Sequence, residues 1–203
     1  MNLLTQNAKM KKTSLENNTK IFNFSIPAYK TKGGKITCPF AKECVKYCYA
    51  QKGNYTRFPI IQELMEKKYN ISKQDNFVEL MTNEIKKKKA KYIRIHDSGD
   101  FYSIKYLNKW VQIAKDNKKV IFYAYTKSIK FFVDGLLLPK NFKVIFSQGS
   151  KTDKLINIKE HRHARIFMGA NAKNDLLNAG YIDASNNDLK AITSNKKVGL
   201  VYH

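Results

Sequence analysis

The chain has 203 residues, and its 38 basic against 16 acidic residues give a formal net charge of +22. This length is enough for one well-buried domain, and no apolar run approaches the roughly 20 residues that cross a bilayer. Residues 1–20 are polar and lack the apolar core of a secretory signal. We therefore expect a soluble, cytoplasmic protein without a membrane partner.

The positive charge comes mostly from lysine. Only four basic residues are arginine, namely Arg57, Arg94, Arg162 and Arg165, and Lys, Asn and Ile are abundant along the whole chain. Arginine is the residue that recognises phosphates and bases through two parallel hydrogen bonds. The net charge therefore leaves nucleic acid open as a partner, and it fits a compositional bias equally well.

The first residues differ from the remainder of the chain. Residues 1–19 show no clear periodicity, which predicts a flexible N-terminal arm, and a single domain then runs over residues 20–203. Residues 21–26 alternate between the two faces of a strand, and Pro27 ends it. A turn at residues 32–35 leads directly into a cysteine-rich loop.

All three cysteines of the chain lie in this loop, at Cys38, Cys44 and Cys48. Three thiolates are a soft-metal donor set that suits zinc or an iron–sulfur cluster. They are one short of the four ligands that close a structural site, so the fourth position is filled by another residue type or is left open. An open position is what metal catalysis requires.

Other interpretations of the cysteines remain. The three alternatives are three buried thiols, a disulfide with one spare thiol, and a structural zinc site with His as the fourth ligand. Random placement rarely gathers every cysteine of a chain into one loop, and the absence of a signal sequence argues against a disulfide. The loop therefore predicts a metal site held by all three thiolates.

The remainder of the chain alternates between helical and strand patterns. Residues 58–89 are helical in two pieces with a break at residues 72–76, and Ser103 is placed to cap the helix after it. A short helix is predicted at residues 129–137. The further apolar strands are residues 92–95, 120–125, 143–146, 165–168 and 198–202.

Six strands separated mostly by helices predict a parallel sheet covered by helices. Every candidate polar motif comes directly after a strand: the cysteine loop, residues 96–100, 126–127 and 147–148, and Asn171. Carboxyl ends of parallel strands carry the functional sites of barrels and open sheets alike. We predict an α/β fold, a partial (β/α)6 TIM-like barrel, with an open doubly wound sheet as the alternative.

Residues 96–100 are the second candidate site. Gly99 permits a positive φ and a close approach of the backbone to a ligand. Asp97 and Asp100 can accept hydrogen bonds from an ammonium or a ribose, although Asp100 also suits a helix cap. His96 fits a metal ligand, a proton donor or a packed residue at the strand end. We assign His96 and Asp97 as candidate catalytic residues.

The order of a first strand, a three-cysteine loop and further βα units resembles the radical S-adenosylmethionine (SAM) enzymes. That resemblance implies a [4Fe-4S] cluster on Cys38, Cys44 and Cys48, with SAM on its open iron. The segment Ser98-Gly99-Asp100 resembles the Gly-Gly-Glu motif of that family, which implies contacts with the methionine group of SAM. By position in the fold, Ser147 and Gln148 would contact its ribose.

The sequence departs from that family in two places. Its cysteine spacing is Cys-x5-Cys-x3-Cys where Cys-x3-Cys-x2-Cys is usual, and Ser98 and Asp100 replace Gly and Glu.

A closer resemblance is to a phage family called gene product eighty-eight. It rests on the cysteine loop ending Cys48-Tyr49-Ala50 and on residues 94–103 and 122–126, within residues 20–150. It implies a phage or mobile-element protein and supplies no mechanism. Our hypothesis is a radical SAM-like iron–sulfur enzyme acting on an unknown substrate. The alternatives are a zinc-stabilised nucleic-acid-binding protein without catalysis and a barrel that has lost its activity.

Overall fold

A computed structural model describes residues 1–193 and 197–202. Its centre is a seven-stranded, all-parallel sheet that curls into a half barrel with helices between the strands, which confirms the predicted fold class. The strands lie in the order β1-β2-β3-β4-β5-β7-β6. They are β1 (Ile21–Phe24), β2 (Tyr92–Ile95), β3 (Ile121–Thr126), β4 (Phe142–Ser147), β5 (His163–Phe167), β6 (Ile182–Asp183) and β7 (Lys197–Val201).

Six of these strands match the predicted ones within a few residues, and the seventh was not predicted. Strand β6 has only two residues, which is too short to show an alternating pattern. It pairs with β7 through Ile182 and Val198, so the sheet carries one more strand at its edge. His203, the last residue of the predicted domain, lies outside the described residues.

The helices include the two pieces predicted for residues 58–89. Ser103 accepts a hydrogen bond from the N–H of Tyr106 and so caps the central helix, as expected. The helices are α1 (Ala8–Glu16), α2 (Cys44–Tyr47), α3 (Asn54–Arg57), α4 (Pro59–Lys73), α5 (Phe77–Lys88), α6 (Ile104–Asp116), α7 (Lys130–Val133), α8 (Ala172–Asn178) and α9 (Lys190–Thr193). None of the described helices is both long and apolar enough to cross a membrane.

The largest core cluster lies between the first strands and the helices α5 and α6. Phe24 of β1 contacts both Phe77 of α5 and Trp110 of α6, with ring centroids 5.6 and 5.3 Å apart. All three rings are fully buried. Offset and edge-to-face aromatic pairs of this kind stabilise a core beyond the area that they bury. They fix α5 and α6 on the outer face of the half barrel.

The N-terminal residues, for which the sequence predicted a flexible arm, make tertiary contacts with the sheet. Thr5 pairs with Asn23 through two backbone hydrogen bonds of 3.0 and 2.8 Å, so the chain start covers the outer edge of β1. Leu4 and Met10 are buried, and α1 begins at residue 8. Few apolar residues make these contacts, so they leave no periodic pattern in the sequence. The flexibility of the arm stays a prediction, and in this structure tertiary contacts hold the segment against the sheet.

A buried ion network fastens α1 inside the half barrel. The Asp188 carboxylate lies 2.5 Å from Lys9 Nζ and 2.8 Å from Arg94, and it also accepts a hydrogen bond from the Tyr123 hydroxyl. Burial alone would raise the pKa of Asp188, but Arg94 and Lys9 outweigh it and hold that pKa below its usual range. The network joins the first helix, β2, β3 and the segment before β7.

Replacing Asp188 with Asn should destabilise the protein by about 3–5 kcal/mol, because two largely buried cations then lose their counter-charge. Urea denaturation at neutral pH measures this loss. Asp134→Asn, at an exposed carboxylate, is the control and should change stability by less than about 0.5 kcal/mol. Since the folded-state pKa of Asp188 is lowered, its contribution should be present at neutral pH and disappear as the pH falls through that pKa. Equal losses in the two variants at neutral pH would contradict the proposed role.

Candidate functional site

A cavity of about 170 Å³ opens at the carboxyl end of the sheet, beneath the cysteine loop. The polar turn after β2 and the ends of β3 and β4 form its floor and one side, and the ends of β5 and β7 close the other. All three cysteines line it. So do Arg94, His96, Asp97, Ser98, Gly99, Asp100, Tyr125, Lys127 and Ser147. The structure therefore brings most of the predicted site residues to one place.

The cysteine loop crosses the cavity from β1 and is fastened on the far side. The backbone N–H of Lys42 donates to the carbonyl of Gly149 at 3.2 Å. In return, the N–H of Lys151 donates to the carbonyl of Phe40 at 2.8 Å. Tyr47 contacts Tyr202 after β7 edge to face, with ring centroids 6.1 Å apart. The loop is thus a cover tied to the segments after β4 and β7.

The three thiols are free and half-buried. The backbone N–H of Tyr29 donates to Cys38 Sγ at 3.4 Å. Burial raises the pKa of the Cys38 thiol, and the negative charge of Asp100 raises it further. Burial also raises the pKa of Cys44, against the nearby charge of Lys127. Without a cation, these two thiols are protonated at neutral pH.

Across residues 1–193 and 197–202, no three His, Cys, Asp or Glu side chains form a group that could hold a metal ion. The cysteines therefore share a cavity without forming such a group. Metal binding by Cys38, Cys44 and Cys48 stays a prediction.

His96 is buried at the bottom of the cavity and is only 2% exposed. Its Nε2 shares a hydrogen bond of 2.8 Å with the Tyr106 hydroxyl, and its Nδ1 has no partner within the described part of the chain. Burial, with the charge of Arg94, lowers the pKa of His96 to about 3. The imidazole is therefore neutral at physiological pH, so it is not a ready proton donor in this structure.

Asp97 lines the same cavity, but its carboxylate is engaged on the other side. It accepts hydrogen bonds from Asn7 at 2.8 Å, from Tyr55 at 2.9 Å and from Ser25. Its backbone carbonyl accepts a hydrogen bond from the Tyr49 hydroxyl. These contacts fasten the N-terminal segment and the end of the cysteine loop to the turn after β2.

Ser98 and Gly99 present backbone and a hydroxyl to the cavity. Ser98 is buried, and its Oγ finds no hydrogen-bond partner among the described residues. Gly99 has a φ of 83°, and a Cβ added to it would lie 2.2 Å from Ile26 Cγ1. Glycine is therefore required here for both its conformation and its lack of a side chain.

Asp100 is held by neighbouring groups of the protein. Its carboxylate accepts hydrogen bonds from the N–H of Phe101, the hydroxyl of Thr126 and the N–H of Lys127, at 2.6 to 2.8 Å. Burial raises its pKa in spite of these bonds. The cap of α6 is Ser103, so the alternative in which Asp100 caps that helix is wrong. Its observed role is to join the turn after β2 to the end of β3.

The predicted ribose contacts, Ser147 and Gln148, lie at the end of β4. Ser147 lines the cavity, and its hydroxyl accepts a hydrogen bond of 2.7 Å from Lys127 Nζ. Gln148 is not among the lining residues, and its backbone carbonyl accepts from the same ammonium at 2.9 Å. Lys127 therefore organises this side of the cavity.

Among the cavity residues outside the predicted site set, three bear on its chemistry: Arg94, Tyr125 and Lys127, the last of which the sequence marked only as part of a polar motif after a strand. The hydroxyl of Tyr125 is buried in the cavity wall with no partner in the described ranges, and Arg94 lies over its ring at 5.0 Å. All three lie within or directly after a predicted strand. That position was the available signal, but the alternation did not show which strand residues face the barrel interior.

Fold and site together define a class: a parallel half barrel whose carboxyl end carries a thiol-lined cavity under a three-cysteine loop. The chain belongs to the Gene product 88 family, whose model matches residues 1–202.

Two curated relatives are both called Gene 88 protein. That of Mycobacterium phage L5 is 29% identical over 145 residues, covering 58% of this chain and 59% of the relative. That of Mycobacterium phage D29 is 31% identical over 138 residues, covering 55% and 56%. The chain thus spans little more than half the length of these relatives. No solved structure gave a significant match.

Gly99→Ala should be more destabilising than Gly34→Ala by about 1–3 kcal/mol, because only the first variant forces a Cβ into packed side-chain atoms. Both glycines have a positive φ, 83° and 77°, but nothing lies within 4 Å of the position of a Cβ on Gly34. Thermal or urea unfolding of the two variants measures the difference. Adding Ile26→Ala to Gly99→Ala should recover part of the loss if the clash is its cause. Equal losses in the two single variants would show that backbone strain alone matters.

Proposed function

We propose that this phage-family protein binds an iron–sulfur cluster on Cys38, Cys44 and Cys48 and acts as a radical SAM-like enzyme. One observation supports this most: three thiols from one loop line a single cavity at the carboxyl end of a parallel half barrel. Functional sites of parallel α/β folds lie at this end of the sheet.

The donor set favours a cluster over a zinc ion. Zinc requires its sulfur ligands about 2.3 Å from one central atom. Within the described residues, no three candidate ligands form a group that could hold a metal ion, so either centre requires the loop to move its thiolates. Cluster thiolates bind different iron atoms, so they surround a larger object and need not approach one another as closely. Three thiolates would leave one iron of a [4Fe-4S] cluster open for an external ligand.

A cluster held by Cys38, Cys44 and Cys48 and reduced by an external electron donor would supply the electron for reductive cleavage of bound SAM. The protein's own contribution is a shaped cavity with few free polar groups. Ser98 Oγ and the Tyr125 hydroxyl have no partners among the described residues, so both remain able to bind a polar ligand. Gly99 brings backbone rather than a side chain to the wall.

Cavity size sets a condition on this proposal. Its volume of about 170 Å³ lies below the roughly 300–1,000 Å³ of pockets that hold drug-sized ligands. A nucleoside cofactor beside a cluster therefore requires the cysteine loop to move outward. This loop consists of short helical turns with half-exposed cysteines, and two backbone hydrogen bonds hold its far side. Outward movement must break these two bonds and also the contacts of Tyr47 with Tyr202 and of Tyr49 with the Asp97 carbonyl.

A separate observation favours nucleic acid as a partner. The ends of α5 and α6 meet at the opposite, amino end of the sheet and form a groove of about 430 Å³. Five exposed lysines line it, against the single carboxylate of Asp116. They are Lys86, Lys89, Lys91, Lys118 and Lys119. We propose that this groove, named here the lysine groove, binds a phosphate backbone without reading its sequence.

Protein purified and reconstituted without oxygen should be brown and should contain iron and sulfide, which colorimetric analysis measures. Cys44→Ala should lose most of the iron, because two thiolates retain a cluster poorly. Lys52→Ala, at an exposed loop position, is the control and should keep its full load. A colourless wild type without iron after reconstitution, or a fully loaded Cys44→Ala variant, would overturn the cluster. Reduced, loaded protein that does not convert SAM to 5′-deoxyadenosine would remove the radical SAM part alone.

Duplex DNA should bind the wild type at low salt, with an affinity that falls steeply as salt rises. The double variant Lys118→Gln, Lys119→Gln should bind more weakly and lower the slope of log affinity against log salt by about 2. Fluorescence anisotropy measures both quantities. Lys30→Gln, Lys35→Gln, on the loop after β1, is the matched control because it removes the same charge elsewhere. Equal effects of the two double variants would assign binding to net charge rather than to the lysine groove.

A further inference from the structure

A second and larger cavity lies on the other side of Asp97. Its volume is about 500 Å³, within the range of small-molecule pockets. The N-terminal segment, β1 and helix α4 surround it, and the carboxylate of Asp97 forms part of the wall towards the cysteine loop. We name it the arm cavity. None of the three cysteines lines it, so a ligand could bind there whether or not the protein carries a cluster.

Lys68 of α4 is the first unusual group in the arm cavity. The residue is only 4% exposed, yet its ammonium makes no salt bridge among the described residues. Its hydrogen-bond partner in the described part of the chain is the Thr5 hydroxyl, at a long 3.4 Å. Burial lowers its pKa to about 8, although the charges of Asp97 and Glu84 act in the other direction. A buried ammonium with one weak acceptor is short of an anion.

Asn23 of β1 is the second unusual group in the arm cavity. It is 3% exposed and lines the same cavity. Its Nδ2 donates to Ser25 at 3.0 Å, but its Oδ1 accepts no hydrogen bond from any described residue. A buried amide oxygen without a donor is destabilising, because it has lost its hydrogen bonds to water without replacing them. Thr5 contacts Lys68 and pairs with Asn23, so the two unsatisfied groups lie close together.

These two groups call for a ligand with complementary chemistry. Lys68 requires a negative charge, and Asn23 Oδ1 requires an N–H or O–H donor beside it. The carboxylate of Asp97 on the wall disfavours a dianion such as phosphate, because like charges repel. On the α4 side, Ile61, Leu64 and Met65 form an apolar surface that suits a hydrocarbon chain.

We propose that the arm cavity binds a small organic monocarboxylate that carries a hydrogen-bond donor next to its carboxylate and an apolar side chain. An α-amino acid or α-hydroxy acid with a branched aliphatic chain has this chemistry. The carboxylate pairs with Lys68, the donor satisfies Asn23, and the side chain lies against α4. Thr5 and Asn7 belong to the N-terminal segment, so ligand binding also strengthens its docking onto the sheet.

Isothermal titration calorimetry with the full chain tests which features of the ligand matter: its carboxylate, its hydrogen-bond donor and its apolar side chain. The four probes are L-leucine, 2-hydroxy-4-methylpentanoate, 4-methylpentanoate and inorganic phosphate. The wild type should bind one or both of the first two. It should bind 4-methylpentanoate, which lacks the donor, about tenfold more weakly or worse. Absence of binding by both L-leucine and the hydroxy acid would overturn the proposal, as would preferential binding of phosphate.

Two variants test whether the probes bind in the arm cavity. Lys68→Met should abolish binding of the favoured probe, and Lys67→Met, at the exposed neighbouring position of the same helix, should leave it unchanged. Leu64→Trp fills the cavity without changing a charge and tests the same site if Lys68→Met fails to fold. Equal affinity of the wild type and the folded Lys68→Met or Leu64→Trp variant would place any binding elsewhere and overturn the proposal.

Discussion

The half barrel depends on one buried carboxylate. An open parallel sheet leaves the outer edge of its first strand unpaired and its interior accessible to water, and both must be covered. Here Thr5 covers the edge of β1, and α1 enters the open side with Met10 buried against Ile21 and Leu189. Asp188 lies inside this contact, with Lys9 from α1 and Arg94 from β2 as its counter-charges. The ends of the chain are thereby joined across the barrel interior.

The same network reaches the cysteine cavity through Arg94. Its guanidinium pairs with Asp188 on one side and lies over the ring of Tyr125 in the cavity wall on the other. Its charge contributes to the low pKa of His96 and so keeps that imidazole neutral. Closure of the barrel and the electrostatics of the site are therefore linked. A variant that releases α1 would also leave Arg94 without its main counter-charge.

The sequence predicted what depends on local pattern. Six strands, the division between α4 and α5 and the Ser103 cap follow from alternation, helical spacing and a side-chain hydrogen bond within a few residues. It did not predict α1, β6 or the role of Asp188. These depend on partners far along the chain, and Asp188 contacts residues 179 and 94 positions away. No local pattern marks such a pair, and the buried cavity of Lys68 was missed for the same reason.

The turn after β2 shows why neighbouring site residues need not share a ligand. His96 has a φ of 67°, unusual for a residue with a side chain, and Gly99 has one of 83°. A left-handed non-glycine residue costs of order 1–3 kcal/mol. Two hydrogen bonds hold His96 there: its backbone N–H donates to the Phe24 carbonyl, and its ring shares one with the Tyr106 hydroxyl. These reversals turn the His96 ring into the core, the Asp97 carboxylate towards the arm cavity and the Asp100 carboxylate to the end of β3. All of residues 96–100 line the cysteine cavity, but hydrogen bonds to three different parts of the protein engage His96, Asp97 and Asp100, and they leave the Ser98 hydroxyl without a partner among the described residues.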